Sequence, residues 1–334
     1  MIDPFTNRLS SGGTVGDELL PILSKNGGDV LIVDIGARNS MEWPSKLVPQ
    51  TRFVGFEPNQ EEYDKLVRHE TDAQNLGISV KKFGSEEFHN CAVWSATTEK
   101  PFYITQGTGA CTMMGHSNDA VASNVWLEGD DAPYSVKHSK VIETHPVKCE
   151  SLDNLFSKEN VIDFLKIDVE GAEMEVLKGA ETLFSGKNVL FVKSEFFLVP
   201  FFENNQLLGH QHVFLHDHGF RMIGMQQDKN SYMQGECSTI PSIADTRLIY
   251  GGDAYFMLDP DLNKLNGDVL FRMGIIALTL GFRSLSISLF RNSRLVDDNV
   301  LDKIEKALHK IPLKKRVKYL WESLPDKILN IVRQ

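Results

Sequence analysis

The stretch DFLKIDVEGAE, residues 163–173, decides the fold, because an alternating strand, an acidic tip and a glycine turn come directly before an amphipathic helix. Successive side chains of a strand point to opposite faces of the sheet, so the polar and apolar residues of this stretch separate. The polar face carries Lys166, Asp168 and Glu170, and the other face carries Leu165, Ile167 and Val169. Open α/β sheets bind ligands at the carboxyl ends of their strands, so the sequence predicts a site here.

Other apolar runs that end at a glycine or an acid predict further strands of the same sheet. Such runs lie at 30–35, 52–56 and 189–197, and the segments 59–76 and 206–218 have helical periodicity. A final antiparallel pair is predicted at 220–225 and 247–258. The alternation of strand and helix predicts a doubly wound, mostly parallel α/β sheet.

The segments on either side of this sheet differ from it in composition. Residues 1–29 predict a lead-in helix, and 30–258 form the predicted sheet domain. Within that domain, 106–140 is rich in Gly, Ser, Asn and Asp and predicts a lid or acceptor loop. Residues 259–334 predict an all-helical extension whose apolar stripe, which includes Phe271 and Ile275, packs on the sheet or forms a homodimer face.

Composition argues against several functional classes. The chain has 334 residues, a net charge of -10 and 42% hydrophobic residues, values typical of a globular protein that does not attract nucleic acid. Its basic residues are concentrated after residue 260, where 14 Lys and Arg stand against 8 Asp and Glu. Four cysteines without CxxC spacing, no secretion signal and no apolar run long enough to span a bilayer predict a cytoplasmic protein without a transmembrane segment.

Three strand ends carry the polar residues of a nucleoside site, at 34–40, 56–58 and 166–171. Glu57 ends the second strand, 21 residues after Gly36. A carboxylate at this position can accept hydrogen bonds from both hydroxyls of a ribose diol. The loop after the first strand lacks the GxGxxG pattern that holds a pyrophosphate, which disfavours an NAD-linked oxidoreductase. S-adenosylmethionine carries adenosine without phosphate, so the pattern favours methyl transfer over hydride transfer.

In its motifs, the chain resembles the FkbM family of S-adenosylmethionine-dependent O-methyltransferases over roughly residues 30–258. The resemblance depends on SLDNLF at 151–156 followed by IDFLKIDVEGAEMEVLKGA at 162–180. Shorter segments fall in the family's order: VDIGA, VGFEPN, KSEFF, HGF and GGDAYF. Arg38 and Ser40 depart from the family pattern, which more often has Asn and Gly at these positions.

The resemblance implies a Rossmann-like class I methyltransferase fold with a seven-stranded sheet, and a set of cofactor contacts. Asp34, Gly36 and Arg38 would line the amino-acid end of S-adenosylmethionine, and Glu57 would hold its ribose. Two further residues, Ala92 and Val93, would border the adenine. The reaction implied is methylation of a hydroxyl on a sugar, glycan or glycosylated natural product.

The candidate catalytic residues are the charged groups at the carboxyl ends of two strands. A hydroxyl is a weak acid, so a base must accept its proton as the methyl carbon is attacked. Asp168 is the first candidate for this base and also a cofactor contact, and Glu170 and Glu195 are the next candidates. Lys193 pairs with Glu195 on its strand as Lys166 pairs with Asp168, so four charges meet if the two strands are neighbours.

Several alternatives stay open. A divalent metal at Asp168 would lower the pKa of the acceptor, although the sequence does not require one. The paired lysines and acids also fit RNA ribose 2'-O methylation. The excess of acidic residues before residue 261 disfavours this alternative. The altered loop at Arg38 fits a binding protein that has kept the fold without turnover.

Overall fold

The protein is described by a computed structural model that covers residues 14–25, 28–115, 140–157, 161–198, 200–227, 251–259 and 265–308. A seven-stranded sheet forms its centre, with the spatial order β3-β2-β1-β7-β8-β10-β9. Its strands are β1 Val30–Ile35, β2 Thr51–Phe56, β3 Ser85–His89, β7 Ile162–Ile167, β8 Val189–Phe197, β9 Phe220–Gln227 and β10 Gly251–Leu258. Only β10 runs against its neighbours, so the predicted mostly parallel sheet with a final antiparallel pair is confirmed.

Helices flank the sheet along the chain. They are α1 Thr14–Lys25, α2 Gln60–Val67, α3 Asp72–Asn75, α4 Leu152–Leu155, α5 Glu173–Lys178, α6 Glu181–Ser185, α7 Leu208–Asp217, α8 Gly267–Thr279, α9 Arg283–Ser293 and α10 Asp298–Leu308. The single helix predicted over 59–76 is in fact two, α2 and α3. His69 has a left-handed backbone with φ of 59°, and Thr71 then starts α3 with a capping box.

A second, three-stranded sheet was not predicted as a separate layer. It consists of β4 Ala92–Val93, β5 Thr98–Thr105 and β6 Val141–Glu150, in the order β4-β6-β5. A small apolar cluster joins Ala92, Trp94 and Cys149 to Ala172, which follows β7. The small sheet therefore lies beside the carboxyl end of β7 and forms part of the wall of the site described below.

Helix α8 packs on β7 and β8 of the central sheet, α9 packs on α8, and α10 packs on α9 and α1. Phe271, Ile275 and Leu278 of the predicted apolar stripe belong to the same buried cluster as the strands, so the chain itself covers the stripe. A buried ion pair connects α8 with β7. Nε of Arg272, on α8, lies 2.7 Å from Oδ1 of Asp163, on β7. The boundary at residue 259 stays a prediction, and the basic residues 309–334 lie outside the described part. No helix within the described residues is long and apolar enough to cross a membrane.

Candidate functional site at the carboxyl ends of the central strands

A cavity of about 310 Å³ opens at the carboxyl ends of β2, β1 and β7. The strand order reverses at β1, because the chain proceeds from β1 to β2 and β3 on one side and returns to β7 on the other. Such a switch point is where open α/β sheets bind their ligands. Seven of the predicted site residues line this cavity: Gly36, Arg38, Glu57, Ala92, Val93, Asp168 and Glu170.

Gly36 allows the ends of β1 and β7 to approach each other closely. Its φ is 85°, and a Cβ at this position would lie 2.0 Å from the carbonyl oxygen of Asp168. The backbone N–H of Asp168 donates to the carbonyl of Ile35, and the N–H groups of Gly36 and Ala37 both donate to the carbonyl of Phe56. Any side chain at residue 36 would therefore separate the two strand ends that form the base of the cavity.

Glu57 is a buried carboxylate on the cavity wall. It is 5% exposed, and its Oε1 accepts a hydrogen bond of 2.8 Å from the backbone N–H of Asn59. Burial raises the pKa of Glu57 to about 7, against the opposing effect of that hydrogen bond. The carboxylate of Glu57 can thus gain or lose its proton near neutral pH, and donors from a ligand would stabilise its ionised form.

Three charged residues and a tyrosine form a row across four neighbouring strands. Asp34 of β1, Lys166 of β7, Lys193 of β8 and Tyr255 of β10 are paired in register. The sequence predicted that the charges of the two strands would meet if the strands were neighbours. Strands β7 and β8 are indeed neighbours. Nζ of Lys166 lies 2.9 Å from Oδ1 of Asp34 and 3.3 Å from Oδ2 of Asp168. Asp34 is fully buried and is not among the residues that line the cavity.

The ionisation of Lys166 and Asp168 follows from this contact. Burial lowers the pKa of Lys166, but Asp34 and Asp168 outweigh burial and raise the pKa above its ordinary value, so the ammonium is charged. Burial raises the pKa of Asp168, but Lys166 and Lys193 outweigh burial and hold the pKa below its usual range. Asp168 is therefore an ionised carboxylate that faces the cavity.

Glu195 does not line the cavity, although it lies close to residues that do. One carboxylate oxygen from each of Asp168, Glu170 and Glu195 lies within 4.8 Å of the others, a spacing that a divalent cation would bridge. Burial, followed by the charges of Glu170 and Asp168, raises the pKa of Glu195 well above its ordinary value. The pKa shifts of Glu195 and Asp168 thus run in opposite directions, and the ionised carboxylate of Asp168 is favoured as a base over Glu195.

Arg38 lines the cavity beside the end of β2. Its Nε lies 3.2 Å from Oε2 of Glu62, a buried carboxylate on α2, and its Nη2 lies 3.8 Å from Oδ2 of Asp72. Its charge also acts on Glu57, where it lowers the pKa. The guanidinium is thus held toward α2 and the Glu57 side of the cavity, whereas the sequence resemblance implied a contact with the amino-acid end of the ligand.

Part of the predicted loop 106–140 forms another wall. Thr108, Gly109, Cys111 and Met113 line the cavity, and Oγ1 of Thr112 donates to the carbonyl of Glu170 at 2.6 Å. The sequence predicted that this segment belongs to a lid or acceptor loop, but it assigned no role to these four residues. The rest of that loop, 116–139, lies outside the described residues.

Lys193 lies away from the first cavity and lines a second one of about 200 Å³. Its Nζ lies 2.9 Å from Oδ2 of Asp253, which faces it from β10. Lys166 and Ser40 line both cavities, so the two spaces adjoin. Sequence reasoning missed this second cavity.

Comparison with known proteins identifies a methyltransferase family. The model of the methyltransferase FkbM domain matches residues 34–222, more than half of the chain. No curated protein sequence matches the chain.

Solved structures also resemble the chain. One is a magnesium protoporphyrin IX methyltransferase from Synechocystis PCC 6803 with bound S-adenosylmethionine. It has 10% identity and a TM-score of 0.31, covering 73% of this chain and 77% of that one. Another is a precorrin-6y C5,15-methyltransferase from Geobacter metallireducens, with 12% identity and a TM-score of 0.30 over 71% of this chain and 84% of that one. Neither likeness bears on which atom the present chain methylates.

Proposed function

The chain belongs to the FkbM methyltransferase family, and on that premise we propose that it transfers the methyl group of S-adenosylmethionine to a hydroxyl of a sugar or sugar-bearing compound. The observation that carries this proposal is the cavity at the strand switch point, which joins the buried carboxylate of Glu57 to the ionised carboxylate of Asp168. Two strand spacings, roughly 10 Å, separate the ends of β2 and β7, which hold these two groups.

The lining of the first cavity fits S-adenosylmethionine. Glu57 offers acceptor oxygens to a ribose diol, and Ala92, Val93 and Phe56 offer an apolar surface to adenine. The ionised carboxylate of Asp168 and the close backbone approach at Gly36 favour binding of the positively charged methionine end of the ligand at this side of the cavity. We assign the ribose contact to Glu57 and the adenine border to Ala92 and Val93.

S-adenosylmethionine supplies the methyl group, whose bond to the positively charged sulfur breaks as the bond to the acceptor oxygen forms. Asp168 accepts the proton of the acceptor hydroxyl, a contribution worth roughly 10²- to 10⁴-fold. Lys166 keeps Asp168 ionised and fixes its orientation through the contact of 3.3 Å. The lowered pKa makes Asp168 a weak base, so orientation of the hydroxyl supplies a large share of the rate.

The acceptor class is supported by the chemistry of the groups around Asp168. Carboxylates outnumber ammonium groups there, since Asp34, Asp168 and Asp253 face Lys166 and Lys193. Such a surplus of negative charge disfavours a phosphate or carboxylate acceptor and suits a neutral polyhydroxyl compound.

Incubation with S-adenosylmethionine labelled in the methyl group tests the proposal. We expect the label to pass to at least one member of a panel of methyl glycosides and nucleotide sugars. Binding of S-adenosylmethionine without transfer to any carbohydrate would refute the assigned acceptor, and absence of binding would refute the donor.

A further inference from the structure

The second cavity adjoins the proposed donor site along one short boundary. Ser40, which follows β1, and Lys166 of β7 line both cavities. Nζ of Lys166 lies 3.3 Å from Oδ2 of Asp168, the proposed base. The boundary that the two cavities share therefore lies beside the proposed base.

Aromatic side chains form much of the wall of the second cavity. Trp43 and Phe164 stack with ring centroids 6.2 Å apart, and Tyr255 lies on β10 next to Lys193. Leu280, at the end of α8, also lines the cavity. Flat apolar surfaces of this kind pack against the C–H faces of a sugar ring.

Both lysines of the second cavity are already paired with carboxylates. Lys193 pairs with Asp253 at 2.9 Å, and Lys166 pairs with Asp34 and Asp168. Glu42 adds a further carboxylate to the lining. An anionic ligand would meet no unbalanced cation among these residues, whereas a neutral polyol can both accept from the ammonium groups and donate to the carboxylates.

The size of the second cavity restricts its occupant. Its volume of about 200 Å³ is below the range of about 300–1,000 Å³ that is typical of pockets for drug-sized ligands. The space suits one ring-sized unit, and a longer glycan would continue outside it.

We propose that this second cavity is the acceptor subsite, where Trp43 and Tyr255 stack on a single sugar ring and Lys193 donates a hydrogen bond to one of its hydroxyls. The hydroxyl that is methylated extends past Lys166 to Asp168. This inference rests on the proposed sugar O-methyl transfer and adds to it the residues that select the acceptor. Lys193 then determines specificity and takes no part in the proton transfer.

A pair of matched variants tests the subsite. Leu280→Trp fills the second cavity only, and Thr108→Trp enters the first cavity only, since each residue lines one of the two. Binding of methyl hexosides and methyl deoxyhexosides is measured by saturation-transfer NMR with S-adenosylhomocysteine present, and binding of S-adenosylhomocysteine is measured by calorimetry. We expect Leu280→Trp to weaken glycoside binding at least about tenfold and leave S-adenosylhomocysteine affinity within about twofold. We expect Thr108→Trp to weaken S-adenosylhomocysteine binding at least about tenfold and to leave glycoside binding within about twofold.

A second variant covers the case in which Leu280→Trp does not fold. Tyr255→Leu removes one aromatic wall and should weaken the same glycosides while circular dichroism stays native. Unchanged glycoside binding in every folded variant would overturn the subsite, as would a wild-type protein that binds none of the glycosides.

An assay of methyl transfer distinguishes an incorrect acceptor subsite from an incorrect proposed function. If the wild type methylates a glycoside and the KM for that glycoside is unchanged in the folded variants, the subsite is wrong and the proposed function stands. If the wild type does not bind S-adenosylmethionine, the proposed function itself is refuted.

Discussion

Nζ of Lys166 lies 3.3 Å from Oδ2 of Asp168, and this contact helps to keep Asp168, the proposed base, ionised. The same ammonium also lies 2.9 Å from Oδ1 of Asp34, which is fully buried. One lysine therefore neutralises a structural carboxylate on one side and orients a cavity carboxylate on the other.

Asp168→Asn removes the proposed proton acceptor and keeps the shape of the side chain. We expect turnover to fall about 10²-fold or more while the affinity for S-adenosylmethionine stays nearly the same. Steady-state kinetics and calorimetry measure the two quantities. Glu170→Gln is the matched control, because Glu170 lines the same cavity, and it should keep most of the turnover. Equal turnover in Asp168→Asn and the wild type would remove Asp168 from this role.

Lys166→Met should destabilise the folded protein by about 3–5 kcal/mol, because it leaves Asp34 buried without its cation. Denaturant unfolding measures the change in the free energy of unfolding. The double variant Asp34→Asn with Lys166→Met removes the uncompensated charge and should recover a large part of the loss. A double variant no more stable than Lys166→Met would show that the ion pair is not the cause.

Glu57→Gln should weaken binding of S-adenosylmethionine by about 1.5–3 kcal/mol, roughly 10- to 100-fold, since a charged acceptor of the ribose hydroxyls is lost. The pKa of Glu57 is about 7, so its carboxylate is protonated below and ionised above that value. Ribose donors favour the ionised form, and affinity in the wild type should therefore increase as the pH rises from about 6 to about 8. Calorimetry across this range measures the effect. A pH dependence that persists unchanged in Glu57→Gln would contradict the assignment.

Chelation separates two ways in which Asp168 can act. Asp168, Glu170 and Glu195 are close enough to share a divalent cation, whereas our account relies on Lys166 to stabilise Asp168. We expect EDTA to leave turnover unchanged. A loss of more than about tenfold that Mg²⁺ restores would indicate metal-assisted activation of the acceptor.

Arg272→Met tests whether the C-terminal helices are part of the core. Asp163 is buried, with Oδ1 2.7 Å from Nε of Arg272 and Oδ2 2.9 Å from the backbone nitrogen of Leu31. Loss of the guanidinium should cost about 3–5 kcal/mol of folding stability. Denaturant unfolding measures this cost, with the exposed Arg291→Met as control. An unaffected free energy of unfolding would mean that α8 is held by its apolar contacts alone.

Local pattern was sufficient to predict six of the seven strands of the central sheet and the polar strand ends, but not the bounds of β3. Apolar runs, glycine stops and the alternation at 163–173 specify which side chains share a face, so the pairing of Lys166 with Asp168 could be expected. The position of Lys193 could not be predicted in this way. Which cavity it lines depends on Trp43, Tyr255 and Leu280, which come from distant parts of the chain and meet only in the fold.

The separate three-stranded sheet was equally outside the reach of local pattern. β5 and β6 lie on either side of residues 106–140, and nothing in their composition indicates that β6 pairs with β4 and β5 and not with the central sheet. Asp253, the partner of Lys193, gave no signal beyond its place after two glycines, because its role depends on the antiparallel register of β10 with β8.

The crystal structure of the protein with S-adenosylhomocysteine is the most direct test of the central claim. We expect the ligand in the first cavity, with its ribose hydroxyls at about 2.5–3.0 Å from the carboxylate of Glu57 and its sulfur facing Asp168. A ligand bound elsewhere, or one in this cavity with its ribose turned away from Glu57, would contradict the account.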